Sequence, residues 1–157
     1  MGRLLAEQLG ARGHRVQSLE ADDGQDPSVL IASADVVILS VPMASATAVA
    51  RKIAPLVPQR ALLCDVNSLK EEICAVYESH AKSEALGLHP MFGPSVASLR
   101  RQKVVACRVR SGPLTEWLLQ ELGRMGAEVV ESTPQAHDRM MGVVQVLVHF
   151  STLVMGD

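Results

Sequence analysis

A histidine between an apolar run and a proline-stiffened loop is the residue of this chain best suited to chemistry. His89 lies in the segment 87–94, GLHPMFGP, in which two prolines and a glycine follow it. Histidine accepts or donates a proton near neutral pH, and the prolines restrict the backbone that carries the ring. A histidine satisfied inside an ordinary turn is the alternative interpretation. The segment predicts an imidazole held in one direction for proton transfer.

Further polar candidates follow another apolar run or lie in the last predicted helix. Ser68 comes directly after Asn67, where its hydroxyl either caps the next helix or serves a site. His137 opens the last helix and His149 follows 12 residues later; a helix-cap partner and a core histidine are the alternatives. Twelve helical residues give about 18 Å of rise, so the two rings cannot share a metal. Because no other cluster has ligand spacing, no metal site is predicted.

The beginning of the chain carries features of a phosphate-binding turn. Met1 and Gly2 are similar to the tail of a G-x-G-x-x-G loop, with Gly2 as its third glycine. Glu20 follows 18 residues after Gly2, at a spacing where an acidic side chain accepts hydrogen bonds from a ribose 2′-hydroxyl. A solvated turn carboxylate is the alternative. Together with Asp22 and Asp23, a functional Glu20 repels a 2′-phosphate, which favours NAD over NADP.

A second candidate for cofactor contact ends the most apolar predicted strand. It consists of Ser40, Val41 and Pro42. Ligands of parallel sheets bind at the carboxyl ends of the strands, where backbone groups freed by Pro42 can contact adenosine or ribose. A plain strand terminator is the alternative.

Apolar runs alternate along the chain with segments of helical spacing. The predicted strands are 14–19, 36–41, 61–66, 85–88, 103–109 and 127–131; the predicted helices are 3–11, 45–54, 69–80, 113–125 and one from 134 towards 155. This order predicts an α/β fold with a doubly wound, mostly parallel, Rossmann-like sheet. Such sheets begin with a strand before the glycine-rich turn, so the first strand is expected to be missing. Residues 1–133 are interpreted as an incomplete dinucleotide-binding domain, and 134–157 as a helix leading out of it.

Composition places the chain among ordinary globular proteins. Its 157 residues are 48% hydrophobic and 20% charged, with a net charge of -2 and only 3% aromatic residues. Nucleic acid is therefore not expected as a partner, since neither a basic excess nor stacking rings are present. The apolar stretches are too short or too interrupted to cross a membrane. The three cysteines, an odd number without CxxC spacing, are interpreted as buried, reduced thiols of a cytoplasmic protein.

Taken in order, these motifs resemble the prephenate dehydrogenase family over nearly the whole chain. The closest likeness is to the dehydrogenase part of the bifunctional chorismate mutase/prephenate dehydrogenases of tyrosine biosynthesis. The segment 87–94 is the most specific element of the resemblance. The others are Gly2, 40–42, 65–70 (DVNSLK), and 137–138 through 149–150.

The resemblance implies the oxidative decarboxylation of prephenate to 4-hydroxyphenylpyruvate with NAD. By this likeness, His89 accepts a hydrogen bond or proton from the ring hydroxyl of the substrate while hydride leaves the same carbon. Ser68 is then expected to orient His89 and that hydroxyl. His137 and His149 are expected to line the substrate side.

The chain also departs from the pattern of that family. By this resemblance, the given residues are expected to lack the first strand and two glycines of the phosphate loop. They are also expected to lack a helical second domain that supplies a substrate-binding arginine and builds a homodimer. Ser95 stands where relatives often carry an acidic residue. We therefore expect a fragment with unpaired strand edges, weak cofactor binding and low activity. An arogenate or other hydroxyacid dehydrogenase, and an inactive dinucleotide-binding fragment, are the alternatives.

Overall fold

The computed structural model describes residues 1–20, 24, 26–93 and 96–155, with the side chains of 145–155 outside the described set. Helices and strands alternate through these residues. The helices are α1 Gly2–Ala11, α2 Pro27–Ser33, α3 Met43–Ile53, α4 Glu71–His80, α5 Pro113–Arg124 and α6 Pro134–Met155, with a 3₁₀ turn at Ala54–Leu56. The strands are β1 Val36–Leu39, β2 Leu62–Asp65, β3 Glu84–Pro90, β4 Lys103–Arg110 and β5 Glu128–Glu131.

The strands form one sheet in the order β1-β2-β3-β4-β5. Three of the four pairings are parallel, and β3 with β4 is antiparallel. Helical crossovers link the parallel strands, as parallel pairing requires. The predicted mostly parallel, Rossmann-like α/β fold is confirmed.

Helices cover both faces of the interior strand β2. Leu63 faces a core shared with α3 and α4, whereas Leu62 faces a second core shared with α1 and α5. Successive residues of a strand point to opposite faces, so an unbroken apolar run suits a strand buried on both sides. All four residues of β2 are buried. β1 is partly exposed and lies at the edge of the sheet, although its sequence predicts two covered faces.

The predicted strand 14–19 is wrong. Residues 14–20 have no regular secondary structure, and no described strand lies beyond β1. An extended segment becomes a stable strand only by pairing with a neighbour, and 14–19 pairs with none of the described strands. The predicted strand 36–41 is also shorter than expected, because β1 ends at Leu39 and α3 begins directly after Pro42.

The three cysteines behave as small core residues. Cys64, Cys74 and Cys107 are buried and free of disulfides, which confirms that part of the prediction. Burial raises the pKa of the Cys74 thiol to about 12 and that of Cys107 to about 11. No described helix is both long and apolar enough to cross a membrane.

A close approach between α4 and β3 places a strict demand on Gly87. A Cβ atom there would lie 2.7 Å from the Cys74 sulfur and 3.1 Å from Cδ of Lys70. We expect Gly87→Ala to destabilise the fold by about 1–3 kcal/mol through overpacking, measured as the free energy of unfolding in urea.

The matched control for this substitution is Gly123→Ala. Gly123 lies in α5 with no atom within 4 Å of a Cβ built on it. Alanine there should stabilise the helix by up to about 1 kcal/mol. Equal effects of the two substitutions would show that the contact at Gly87 is not tight.

Candidate active site

The carboxyl ends of three neighbouring parallel strands form one edge of the sheet. Ser40 follows β1, Asn67 and Ser68 follow β2, and His89 lies in the last two residues of β3. Ligands of open α/β sheets bind at this edge. The predicted site residues from separate parts of the chain therefore share one side of the molecule.

The ring of His89 contacts the ring of a second histidine, His137. Its Nδ1 lies 2.9 Å from Nε2 of His137, and the two rings meet edge to face with centroids 5.1 Å apart. His89 is half-buried, whereas His137, in the first turn of α6, is completely buried. In the described residues α6 packs against α4 and places the ring of His137 against that of His89. That His137 also lines the substrate side remains a prediction.

Asp138 fixes His137 in turn. Its Oδ1 lies 2.6 Å from Nδ1 of His137, and the carboxylate also accepts hydrogen bonds from the backbone N–H groups of Lys70 and Glu71, each at 2.8 Å. Burial raises the pKa of the Asp138 carboxyl. The hydrogen bonds from Glu71, His137 and Lys70 more than offset this effect, so the pKa lies below its ordinary value. Asp138 is therefore ionised at neutral pH.

This arrangement corrects the predicted start of α4. The helix begins at Glu71 rather than at residue 69, and Asp138 caps it in place of Ser68. Ser68 is exposed at the end of β2 and forms no hydrogen bond with His89 in the described part of the chain. In the described residues the hydrogen-bond contact that orients the His89 ring comes from His137. The role that the resemblance gives to Ser68 remains a prediction.

A buried lysine, to which the sequence analysis gave no role although it ends the segment 65–70, joins the ends of β2 and β3. The ammonium of Lys70 contacts the Asp65 carboxylate and donates a hydrogen bond to the Leu88 carbonyl at 2.8 Å. Lys70 and Asp65 are both fully buried. Burial raises the pKa of Asp65, and the adjacent ammonium opposes that rise. The available sequence signal was an acidic residue ending an apolar strand, Asp65, with a lysine five residues later.

These charges keep the imidazole of His89 neutral. Burial is the largest cause, and the neighbouring His137 and Lys70 act in the same direction, while Asp138 acts in the opposite direction; together they lower the pKa of His89 to about 4. Near pH 7 the ring therefore has one nitrogen with a lone pair. It is in the protonation state of a proton acceptor.

The predicted cofactor residues come together at the start of α1. The backbone N–H of Gly2 donates to the Ser40 hydroxyl at 3.0 Å, and a Cβ on Gly2 would lie 2.9 Å from that oxygen. Met1 is the N-cap of α1, and Pro42 is the N-cap of α3. Helix N-termini bind phosphate through free N–H groups and the helix dipole. The close-fitting glycine and the two helix starts suit a dinucleotide.

The remaining candidate residues are Glu20 and a group that falls outside the described set. Glu20 is exposed at the end of the irregular segment 14–20. His149 lies on α6, but its side chain falls outside the described set, as do Asp22, Asp23 and Ser95. Within the described residues, no group of three His, Cys, Asp or Glu side chains could hold a metal ion.

Comparison with known proteins identifies the family. Residues 9–118 match the family model described as prephenate dehydrogenase, nucleotide-binding domain. The chain belongs to this family. The matched segment includes Ser40, Ser68 and His89 but ends before His137 and Asp138.

The relatives of this prephenate dehydrogenase family member are consistent with that match. The chain is 36% identical over 157 residues to T-protein of Haemophilus influenzae, covering 99% of this chain and 41% of the relative. It is 39% identical over 127 residues to a probable arogenate/prephenate dehydrogenase of Methanocaldococcus jannaschii, covering 78% and 28%. The chain thus spans less than half the length of these relatives.

A solved structure shows the same fold. Prephenate dehydrogenase from Aquifex aeolicus, in complex with hydroxyphenyl propionate and NAD+, aligns with a TM-score of 0.66 and 23% identity, over 80% of this chain and 47% of the other. The family name denotes an oxidoreductase, in agreement with a nucleotide-binding sheet whose edge carries a neutral histidine.

The lowered pKa of His89 makes the folded state sensitive to acid. In the unfolded chain the ring titrates near pH 6.5, so between about pH 6.5 and 4 the unfolded state binds the proton first. The free energy of unfolding should therefore fall as pH decreases, by less than about 3 kcal/mol from this group, because water screens part of the interaction of a half-buried ring. The groups that face the ring are His137, Lys70 and Asp138.

Urea unfolding of the parent chain and His89→Asn at pH 7 and pH 4.5 measures this effect. All other titrating groups are common to the two proteins. The difference between the two changes in the free energy of unfolding therefore reports on His89. The parent chain should lose more stability than the variant over this interval. The same loss in both would mean that His89 titrates normally in the folded state.

Proposed function

We propose that this chain is the nucleotide-binding and catalytic part of an enzyme that converts prephenate to 4-hydroxyphenylpyruvate and carbon dioxide in tyrosine biosynthesis. The observation that carries the proposal is the neutral His89 at the carboxyl edge of the sheet, held by His137 and Asp138. Its surroundings favour the form that accepts a proton. The family match covers this residue.

His89 would act on the ring hydroxyl of the substrate. NAD, when bound, supplies the acceptor for the hydride that leaves the carbon bearing this hydroxyl. His89 accepts the hydroxyl proton, so that the electrons of the O–H bond form a carbonyl as the hydride leaves. The C–C bond to the ring carboxylate then breaks and carbon dioxide departs. The electrons of this bond move into the ring and those of the carbonyl return to its oxygen, which takes the proton back from His89, so that the aromatic 4-hydroxyl product forms. Because the ring becomes aromatic, the step is effectively irreversible.

Residues at the start of α1 and the end of β1 would hold the dinucleotide. At this point the start of α1, with Met1 and Gly2, lies against Ser40 at the beginning of the segment 40–42. The Aquifex aeolicus enzyme, whose fold this chain shares, contains NAD+. Glu20 is proposed to receive the ribose hydroxyls. We place the reaction in the cytoplasm, on the three free thiols and the nicotinamide chemistry.

The substrate would approach the exposed face of His89. Ser68, exposed at the neighbouring strand end, is proposed to contact its hydroxyl, and His149 its far side. In the longer protein, a helical domain and a second copy of the chain would complete this pocket. The boundary proposed for the nucleotide-binding part, 1–133, contains the matched residues 9–118.

Arogenate is a second candidate substrate. The Methanocaldococcus jannaschii relative is named for both arogenate and prephenate. The two compounds share the ring on which His89 would act, so this residue cannot distinguish between them. Parallel assays of NADH formation with each substrate decide the preference.

Replacing the proposed proton acceptor should abolish turnover. His89→Asn keeps a polar side chain of similar reach but has no group that accepts a proton at neutral pH. We expect NADH formation from prephenate to fall at least about 100-fold, the lower range for loss of general base catalysis. His80→Asn, an exposed histidine at the end of α4, is the matched control and should keep full activity.

The chemical product is followed as well, as 4-hydroxyphenylpyruvate separated by chromatography. A folded parent chain that forms no product from prephenate or arogenate at saturating NAD would overturn the proposed activity. Undiminished turnover in His89→Asn would remove this residue from the mechanism.

The close contact of Gly2 with Ser40 generates a prediction about the cofactor. Gly2→Val would place a branched side chain against the Ser40 hydroxyl at the start of α1. We expect the dissociation constant for NAD to rise about tenfold, which corresponds to about 1.4 kcal/mol. Gly10→Val, on an open face of the same helix, should leave it unchanged. Titration calorimetry measures both, and equal affinities would place the dinucleotide elsewhere.

A further inference from the structure

The side chains of Asp138, His137 and His89 form one continuous chain of hydrogen bonds, and its direction can be deduced. Asp138 is ionised, so its carboxylate can only accept. His137 must therefore carry its proton on Nδ1, the atom 2.6 Å from Asp138. Where each ring carries one proton, Nε2 of His137 is left as an acceptor, whereas a doubly protonated His137 would donate to His89 and reverse the assignment.

The same argument continues to His89. Its Nδ1 lies 2.9 Å from the Nε2 of His137, which is an acceptor, so Nδ1 of His89 carries the proton. The lone pair of His89 is then on Nε2. This assignment follows from geometry and from the number of protons on each ring.

We propose that Asp138 and His137 are positioning residues that hold His89 in the tautomer protonated on Nδ1, leaving Nε2 as the nitrogen that takes the proton of the substrate. Neither residue touches the substrate in this arrangement. Both lie beyond the matched segment 9–118, so the first turn of α6 completes the site. The catalytic consequence rests on the proposed function, whereas the tautomer itself does not.

The placement of Asp138 makes the chain rigid. Its two oxygens are also held by the backbone N–H groups of Lys70 and Glu71 at the start of α4. The carboxylate therefore cannot rotate away from His137 without leaving that helix end uncapped. The ring of His137 is fully buried, so bulk water cannot replace its hydrogen-bond partners.

Nitrogen-15 NMR of the labelled chain near pH 7 tests the tautomer without any assay of activity. Two-bond proton–nitrogen correlations distinguish a protonated ring nitrogen from an unprotonated one, and the His89 signals are assigned by their loss in His89→Asn. The parent chain should show His89 protonated on Nδ1 only. In His137→Phe, which removes the acceptor, the His89 pattern should become that of a mixture of tautomers.

Met141→Ala is the matched control for disturbed packing. Met141 is buried one turn further along α6 and takes no part in the hydrogen bonds. This substitution should lower stability and leave the His89 pattern unchanged. The proposal is overturned if His89 of the parent chain is protonated on Nε2, or if His137→Phe keeps the parent pattern.

Kinetics with prephenate test the consequence for catalysis. His137→Phe and Asp138→Ala should lower kcat about 10- to 100-fold, the usual range for residues that orient a functional histidine, with KM changed less than about twofold. Asp26→Ala removes the cap of α2, where Asp26 accepts from the Ser28 N–H at 2.9 Å, and controls for the loss of a helix cap. It should leave kcat unchanged.

The outcomes separate this inference from the proposed function. An inactive parent chain with His89 protonated on Nδ1 would reject the activity and keep the tautomer assignment. An active parent chain whose His137→Phe variant keeps full kcat would reject the positioning role. An equal loss of kcat in Asp26→Ala and Asp138→Ala would assign the effect to helix capping and also reject it.

Discussion

The geometry of the site depends on the hydrogen bonds that the carboxylate of Asp138 accepts. It accepts from the first backbone N–H groups of α4 and, through the same oxygens, fixes the ring of His137, on which His89 rests. Charge-assisted hydrogen bonds of this kind are stronger than neutral ones and have stricter geometry. A sheet edge, a helix start and the beginning of α6 are thereby held in one arrangement.

The buried pair of Lys70 and Asp65 adds a second constraint, which acts on the ends of β2 and β3. Removing two charges from water is costly, so such a pair contributes little net stability compared with apolar residues of the same size. It does fix positions. The ammonium contacts the end of β2 through Asp65 and the carbonyl of Leu88 in β3, one residue before His89. The same charge disfavours protonation of His89, so structural and electrostatic roles coincide in one side chain.

Residue patterns within short segments predicted the helices and strands better than the contacts between them. The segment 87–94 revealed a fixed histidine at a strand end, because prolines and glycine act on their own neighbourhood. The cap of α4 could not be found in this way. Ser68 has the right residue type and spacing, yet Asp138, far along the chain, occupies the position. The segment 14–19 has a strand-like sequence but lacks a neighbour with which to pair. Both errors concern partners that are distant in sequence, which composition and periodicity do not encode.

A histidine with so low a pKa is a weak base, and this raises the question of how it could remove the proton of an alcohol. In the proposed reaction the hydroxyl proton becomes strongly acidic as hydride leaves its carbon, so the base needs to be neutral more than it needs to be strong. Once Nε2 of His89 is protonated, the N–H on Nδ1 becomes a better donor to His137, whose own N–H points to a carboxylate. The hydrogen-bond chain therefore stabilises the positive charge mainly after the proton has moved, which favours the transition state over the ground state.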